Sequence, residues 1–355
     1  MRKLFVLALV GTALAAAGPA QARNWVVWAD APTNPPADLK ASVPFLNQFL
    51  PTKLQVRAGD KVTFKSRSFH TATFLGATPQ AQVPFVMPDP ASKYSGILDS
   101  LSAPFWFNGG PPKFIFNPQA VQAVGSSVVA DSEMHSSGNF AFIGKHQYTF
   151  AFTKAGTYKV ICLIHPGMEG TIVVKAKRAK IAAPTKVAAA VLKQLKQSWA
   201  TARSLRSETP SDAHTVYAGL GSKTALMAFQ PRTLTVPTGT TVTWLQNSPS
   251  EVHNIAFGDQ AYILSLIEPL ELFPVALGGP SQVNPFTVFG SNPPAPYVHT
   301  GSNHGNGFLA TPNLDKNPNS PPPESFGIRF TKPGTYHYFC MVHGKDMSGD
   351  IVVTG

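Results

Sequence analysis

The chain has 355 residues, of which 43% are hydrophobic and 13% charged, and its formal net charge is +11 at pH 7. This length exceeds one ordinary domain and favours two of about 150 residues each. The charge does not indicate nucleic-acid binding. Nine basic residues and no acidic residue lie between Lys175 and Arg206, and the rest of the chain after residue 22 is neutral.

Residues 1–22 have the pattern of a secretory signal. Two basic residues precede an apolar run over 4–17, and Ala20-Gln21-Ala22 has the small-x-small pattern of a cleavage site. We therefore expect a mature chain that begins near Arg23 and is periplasmic or secreted. The alternative is an uncleaved membrane anchor, although the run is shorter than the roughly 20 residues that span a bilayer.

The composition predicts an all-β fold. The chain has 33 Pro and 28 Gly, and aromatic and β-branched residues dominate its apolar segments. Residues 24–30 predict a first strand, and residues 49–68 predict two strands about a Gly-Asp turn. Residues 229–248 repeat the second pattern with Phe, Pro, Leu, Val, Gly, Val and Thr in register. The start of the first domain therefore recurs in a second.

A histidine follows these strands in both copies. His70 and His253 are each followed four residues later by Phe and soon after by Gly. A lone histidine beside a strand is more often structural, but its recurrence in register with a second motif, described below, favours a ligand role.

Long inserts of 92 and 87 positions separate these histidines from the next motif. Such lengths indicate function or additional structure. Both inserts contain a His-to-Phe fragment, 135–140 and 304–308. These fragments predict either a rim around a site or Gly-rich turns.

The closing stretch of each domain carries the clearest pattern. Residues 152–174 and 330–353 align with one extra residue in the second copy, and each contains one of the two cysteines of the chain. Each copy gathers a thiol, an imidazole and a thioether: Cys162, His165 and Met168, then Cys340, His343 and Met347. Export would favour a disulfide between two cysteines. Their matching positions instead indicate two independent ligand roles.

Residues 176–213 form a basic linker. Val187, Val191, Leu195 and Trp199 recur at every fourth position after Pro184, which predicts a helix. One interpretation is a solvated helix packed against one domain. The other is docking to an anionic partner or a lipid surface.

The ligand types favour copper. Two imidazoles, a thiolate and a weak axial thioether suit both copper oxidation states. The predicted metal ligands are His70, Cys162, His165 and Met168 in one domain and His253, Cys340, His343 and Met347 in the other. Zinc is the main competitor, but structural zinc sites usually contain more cysteines.

The residue after each first histidine differs between the copies. Asn254 is expected to donate a hydrogen bond near the Cys340 sulfur or to its loop, whereas Thr71 has that position in the first domain. We therefore expect the two metal centres to have different reduction potentials.

With these motifs both domains resemble cupredoxins, the blue copper family of plastocyanin, amicyanin and azurin. The resemblance implies two tandem Greek-key β-sandwich domains, residues 23–175 and 214–355, joined by the basic, partly helical linker. It also implies one type 1 copper per domain, two in total, and an exposed edge for electron exchange at His165 and His343.

The leading functional hypothesis is an exported carrier of single electrons between redox partners such as a cytochrome or a membrane oxidoreductase. An oxidase or nitrite reductase of the multicopper class is the enzyme alternative. It would need His-x-His copper motifs, and the sequence has none. Copper storage or delivery is a third hypothesis, but the seven methionines do not cluster.

Overall fold

The structure is a computed structural model that describes residues 22–130, 132–141, 146–267, 282–294, 296–317 and 322–355. Apart from Ala22, the predicted secretory signal lies outside these residues. The all-β class is confirmed, since the strands of the described residues form five sheets and the helices among them are few.

In the first half of the chain the described residues form twelve strands and one short helix. They are β1 Asn24–Trp28, β2 Pro44–Leu46, β3 Lys53–Arg57, β4 Lys61–Lys65, β5 Thr73–Phe74, β6 Val86–Lys93, β7 Pro112–Phe116, α1 Pro118–Val121, β8 Val128–Val129, β9 His135–Ser136, β10 Gln147–Phe152, β11 Gly156–Ile161 and β12 Glu169–Lys175.

The described part of the second half has one long helix, two shorter helices and ten further strands. They are α2 Pro184–Leu205, β13 Thr215–Gly221, β14 Thr224–Gln230, β15 Thr233–Pro237, β16 Thr241–Gln246, β17 Ala256–Phe257, α3 Gln260–Ile267, α4 Pro285–Phe289, β18 Tyr297–His299, β19 Leu309–Ala310, β20 Ser325–Phe330, β21 Gly334–Cys340 and β22 Gly344–Thr354. Short 3-10 turns cover Ala37–Ser42, Gln80–Gln82 and Asn303–Gly305.

Two sheets form an N-terminal sandwich. Their strand orders are β1-β4-β10-β8 and β3-β12-β11-β5-β9. Val62 and Phe64 from the first sheet share one buried core with Leu54, Val160 and Ile172 from the second. The N-terminal sandwich therefore has its apolar core between these sheets.

Two further sheets form a C-terminal sandwich. Their orders are β18-β20-β16-β13-β14-β2 and β15-β22-β21-β17-β19. Val216, Trp244 and Ile328 of the first sheet share a core with Val236 and Ile351 of the second. The predicted repeat is therefore visible in the strand pairing, because β1-β4-β10 corresponds to β13-β16-β20 and β3-β12-β11 to β15-β22-β21.

The strands predicted on either side of the Gly-Asp turn exist, but they do not pair. β3 and β4 lie in opposite sheets of the N-terminal sandwich, and β15 and β16 do the same in the C-terminal sandwich. Every second residue of β3 is buried, as are the central residues of β4. Both strands bury apolar side chains in one core from opposite sides, so the turn joins the two layers.

One strand crosses between the sandwiches. β2 comes from the first half of the chain but pairs antiparallel with β14, with Phe45 opposite Ala225 and Leu46 opposite Thr224. The predicted first domain, residues 23–175, therefore supplies an edge strand to the C-terminal sandwich.

The helix predicted after Pro184 is α2, and it contacts both halves of the chain rather than one domain. Leu195, Trp199 and Leu205 lie in one buried cluster with Leu50 and Leu220. The rest of the α2 surface is largely exposed and carries all three of its lysines. No helix among the described residues has the length and apolar character needed to cross a membrane.

The long inserts contain ordered structure. β6 and β7 form a hairpin in the first insert, and α3 and α4 lie in the second. Phe105 and Phe107 of the first insert pack with Phe286 and Phe308 of the second, within one buried cluster. The two inserts therefore join the sandwiches through an aromatic interface.

Candidate metal centres

Centre 1 consists of His70, Cys162 and His165. His70 lies between β4 and β5, Cys162 follows β11, and His165 lies in the loop that leads to β12. The backbone closes this loop, since the Cys162 N–H donates to the Met168 carbonyl at 3.0 Å and the Met168 N–H donates to the His165 carbonyl at 3.1 Å. All three side chains of centre 1 are buried.

The ligand atoms of centre 1 converge. Cys162 Sγ lies 3.4 Å from His165 Nδ1 and 3.9 Å from His70 Nδ1. The three ligand atoms lie within 4.8 Å of one another. The structure thus brings together residues that are separated by 92 positions in the sequence.

Centre 2 consists of His253, Cys340 and His343 in the C-terminal sandwich. Cys340 Sγ lies 3.5 Å from His343 Nδ1 and 4.0 Å from His253 Nδ1. The two Nδ1 atoms are 3.0 Å apart. Centre 2 therefore repeats the arrangement of centre 1 with the same atoms.

Both centres fit a metal ion. Two ligand atoms that share one metal at bond lengths of about 2.0–2.3 Å lie no more than roughly 4.5 Å apart. The sulfur-to-nitrogen distances of both centres lie below that limit. Cys162 and Cys340 are free thiols, so the expectation that they do not form a disulfide is confirmed. A set of one thiolate and two imidazoles suits copper and is also compatible with zinc.

The two predicted thioether ligands are buried near these centres. Met168 is packed in the same cluster as Cys162, and Met347 in the same cluster as Cys340. Their role as axial ligands stays a prediction.

The surroundings of both cysteines favour the ionised thiolate over the neutral thiol. Burial alone would raise the pKa of the Cys162 thiol, but the charge and hydrogen bond of His165 and the Thr71 N–H outweigh it, so that pKa is lowered. The pKa of Cys340 is lowered against its burial in the same way, chiefly by the hydrogen bond and charge of His343. Both thiols are therefore biased toward the thiolate that a metal requires.

The histidines divide into two kinds. Burial and a neighbouring loop histidine hold the pKa values of His70 and His253 well below the usual range, so these rings are neutral. Burial would also lower the pKa of His343, but Cys340 and Glu251 outweigh it and raise that pKa to about 10. The pKa of His165 is raised by Glu251 and Cys162 despite its burial.

The residue after each first histidine holds the cysteine loop. Thr71 Oγ1 accepts a hydrogen bond from the Leu163 N–H at 2.9 Å, and Asn254 Oδ1 accepts one from the Met341 N–H at 2.8 Å. The Thr71 backbone N–H also donates to Cys162 Sγ at 3.4 Å. The predicted position is confirmed, but the Asn254 side chain accepts this bond and does not donate it.

Two neighbours of the rings were not evident from the sequence. Phe45 of β2 stacks on His70 with ring centroids 5.1 Å apart and also contacts His165 at 5.6 Å. Gly219 has φ +69°, and a Cβ atom there would lie 2.1 Å from His253 Nε2. The absence of a side chain at Gly219 is therefore required for His253 to occupy its place.

Glu251 joins the two centres. Its Oε1 lies 3.5 Å from His165 Nε2, and its Oε2 lies 3.5 Å from His343 Nε2. Asn47 Nδ2 donates to Oε1 at 2.6 Å. Burial would raise the pKa of Glu251, but His165 and His343, with Asn47, lower it to about 2. A buried carboxylate thus lies between the loop histidines of the two sandwiches.

Sequence reasoning missed Glu251 and Asn47. The one signal in the sequence was that Glu251 lies two positions before His253, whereas Ser68 lies two positions before His70. The expectation that the loop histidines form an exposed edge is wrong for His165, because only 4% of its side chain is exposed. His343 is also largely covered, at 18%.

The His-to-Phe fragments support the backbone beside the first histidines. In the first fragment the Phe140 N–H donates to the His70 carbonyl at 2.9 Å, and β9 pairs with β5. After the second fragment β19 pairs with β17, and the Thr311 N–H donates to the Ile255 carbonyl. The first fragment therefore begins with a strand and the second leads into one, and both strands hold the backbone beside a ligand histidine.

Residues 216–354 match the family model of copper binding proteins of the plastocyanin/azurin family. No curated protein matches the chain. Among solved structures, a purple cupredoxin from Nitrosopumilus maritimus is 20% identical, over 39% of this chain and 98% of that chain, with a TM-score of 0.21. Reduced auracyanin from Roseiflexus castenholzii is 19% identical, over 40% and 95%, with a TM-score of 0.23. Oxidised plastocyanin from Dryopteris crassirhizoma is 20% identical, over 39% and 99%, with a TM-score of 0.21.

The C-terminal sandwich contains centre 2 and is the part of the chain that matches the plastocyanin/azurin family model, over residues 216–354. This match confirms the resemblance found in the sequence for that sandwich. The N-terminal sandwich repeats the strand order and the His-Cys-His set of that domain.

Proposed function

We propose that the protein carries single electrons with one copper ion at each of its two centres. The observation that supports this proposal is the repeated convergence of one cysteine sulfur and two Nδ1 atoms, buried or nearly buried in both sandwiches. The proposed ligands are His70, Cys162, His165 and Met168 at centre 1, and His253, Cys340, His343 and Met347 at centre 2.

Hydrogen bonds of the chain itself hold the loops that carry these ligands. Backbone hydrogen bonds close the loop of centre 1, and Thr71 and Asn254 fix the residues that follow the two cysteines. Copper bound at such a centre would supply one-electron redox chemistry. Loops held by such hydrogen bonds limit the rearrangement that accompanies a change of charge, which suits a carrier better than a copper donor.

We further propose that the protein is exported and exchanges electrons with a cytochrome or a membrane oxidoreductase. The sequence of residues 1–22 supports export. The exposed lysines of α2 offer a basic surface for an anionic partner, and Lys186, Lys193 and Lys196 are the exposed examples. N-terminal sequencing of the mature protein tests export, and a start near Arg23 is the expected result.

Copper titration tests the redox proposal. We expect an intense visible thiolate-to-copper band that saturates at two coppers per chain. The Cys162→Ala and Cys340→Ala variants should each lose about half of the copper, because each removes the thiolate of one centre.

Titration with zinc provides the matched comparison. A protein that stays colourless with copper, or that binds zinc in preference at both centres, would contradict the proposal. Saturation at one copper would restrict it to a single centre.

A further inference from the structure

We propose that Glu251 links the two centres into one redox unit, so that they exchange electrons with each other through His165, the Glu251 carboxylate and His343. This inference rests on the proposed function, since it requires a redox metal at both centres. It assigns to Glu251 the role of a positioning residue that touches both loop histidines and neither cysteine.

The orientation of the imidazole rings carries the inference. At both centres the Nδ1 atom of the loop histidine faces the cysteine sulfur, at 3.4 Å for His165 and 3.5 Å for His343. The Nε2 atom therefore points away from the metal position. Both Nε2 atoms meet Glu251 at 3.5 Å, one at each carboxylate oxygen. A metal-bound histidine commonly directs its other ring nitrogen at a carboxylate, and here one carboxylate serves two histidines.

The link is shielded from water. Side-chain exposure is 6% for Glu251, 4% for His165 and 18% for His343. Charge interactions are stronger in such surroundings than in water. Because His165 is shielded, a protein partner cannot contact centre 1 through this ring. The Nε2 atom of His165 faces Glu251 and centre 2 instead.

Residues from both halves of the chain hold Glu251, one at its carboxylate and one at its backbone. Asn47, next to β2, donates to Oε1 at 2.6 Å, and its own backbone N–H donates to the Lys223 carbonyl at 3.0 Å. Gln246 Nε2 donates to the Glu251 backbone carbonyl at 2.6 Å. The strand that crosses between the sandwiches therefore helps to place the carboxylate between the centres.

The proposed exchange needs no further reactant. One centre loses an electron and becomes oxidised, and the other gains that electron and becomes reduced. The negative charge of Glu251 stabilises the oxidised, more positive form of both centres, so its removal should shift both reduction potentials upward.

The first experiment measures reduction potentials in the copper-loaded full chain. The Glu251→Gln variant keeps the size of the side chain and an acceptor for Asn47 but removes the charge. We expect both potentials to rise. Glu324→Gln, the same change at an exposed residue of the C-terminal half, should leave them unchanged because water screens that charge.

A single-centre background makes this test specific. In Cys340→Ser only centre 1 retains its thiolate. The addition of Glu251→Gln should still raise the potential of centre 1, although Glu251 belongs to the other half of the chain. An unchanged potential of centre 1 in this double variant would overturn the link.

The second experiment measures electron exchange within one molecule. A light-triggered pulse first delivers less than one electron per chain. The electron should then move between the two centres at a rate that is independent of protein concentration. The Glu251→Leu variant should slow this phase about tenfold, a typical effect of losing a residue that supports metal ligands. An unchanged rate with both coppers bound would refute the inference.

The two proposals fail in different ways. Loss of the visible band or of copper binding in the unaltered protein would contradict the proposed function. If both centres bind copper normally but substitution of Glu251 changes neither the reduction potentials nor the exchange rate, only the proposed link is contradicted. Circular dichroism of each variant identifies any that fails to fold, and Glu251→Gln then replaces Glu251→Leu in the rate measurement.

Discussion

Gly219 shows how one backbone position controls a metal centre. A methyl group at Gly219 would overlap the His253 ring, since its Cβ would lie 2.1 Å from Nε2. We expect the Gly219→Ala variant to displace His253 and to lose copper at centre 2 while centre 1 stays occupied. Copper analysis should therefore give about one ion per chain, as expected when one ligand set is disrupted.

Gly239 provides the control for this substitution. It has φ +89°, but a Cβ there would meet only Arg329, at 4.0 Å. The Gly239→Ala variant should therefore lose about 1–2 kcal/mol of stability through backbone strain and keep both coppers. Two bound coppers in Gly219→Ala would show that the His253 ring adapts.

His299 predicts a dependence of stability on pH that is separate from the metal centres. Burial lowers the pKa of this ring to about 4, whereas the value in an unfolded chain is about 6.5. Between these values the unfolded state binds more protons, so stability falls as pH falls. From pH 7 to pH 5 this group should remove about 2 kcal/mol from the free energy of unfolding.

The His299→Asn variant tests this expectation by urea unfolding at both pH values. Asn keeps an acceptor for the Gly301 N–H, which donates to His299 Nδ1 at 3.1 Å, but it does not titrate. The variant should lose about 2 kcal/mol less than the unaltered protein on acidification. An equal loss in both proteins would contradict the prediction.

At the residue scale the sequence was sufficient to group the ligands, because Cys162 and Cys340 recur in register with a histidine upstream and another downstream. It was not sufficient for Glu251 or Phe45. Their roles arise where the two halves of the chain touch, and no repeat marks such a contact. The first copy has Ser68 at the position that matches Glu251. The comparison of the two copies, which revealed the ligands, therefore does not reveal Glu251.

Strand β2 is the element that covers centre 1. Phe45 lies over His70 and His165, and the apolar surroundings of a metal site control its access to solvent. We expect the Phe45→Ala variant to release copper from centre 1 to a chelator about tenfold faster than the unaltered protein, with no change at centre 2.

Phe326→Ala is the matched control for strand β2. Phe326 is half-buried in the C-terminal sandwich and packs on Tyr297 with ring centroids 4.6 Å apart. Its removal deletes the same aromatic group away from both centres, so copper release should stay unchanged. Faster release from both centres in Phe45→Ala would indicate general destabilisation instead of local exposure.

At the element scale the sequence predicted most strands near the centres but not their partners. The alternation of apolar residues located β3 and β4, but the same alternation fits a hairpin and two strands in opposite layers. The crossing of β2 was hidden for a different reason. Its three residues, Pro44–Leu46, are too few to show a period.

The whole molecule should unfold as one unit in spite of its two sandwiches. β2 pairs across the halves, α2 packs in a shared cluster, and the inserts share an aromatic interface. We expect a single transition in calorimetry of the metal-free protein, with the van't Hoff enthalpy equal to the calorimetric enthalpy.

The Trp199→Ala variant probes this coupling. Trp199 is buried in the cluster that α2 shares with both halves, and its truncation should cost about 3 kcal/mol. The single transition should move to a lower temperature as a whole. Two separate transitions in the unaltered protein would show that the sandwiches unfold independently.

The crossing strand also sets an order of events during synthesis. Asn47 and its partner Ser222 are 175 residues apart, so β2 leaves the ribosome long before the strand with which it pairs. His70, Cys162 and His165 are therefore synthesised before the sheet that holds Phe45 over the two histidines. The cover of centre 1 can form only when the second half of the chain has been translated.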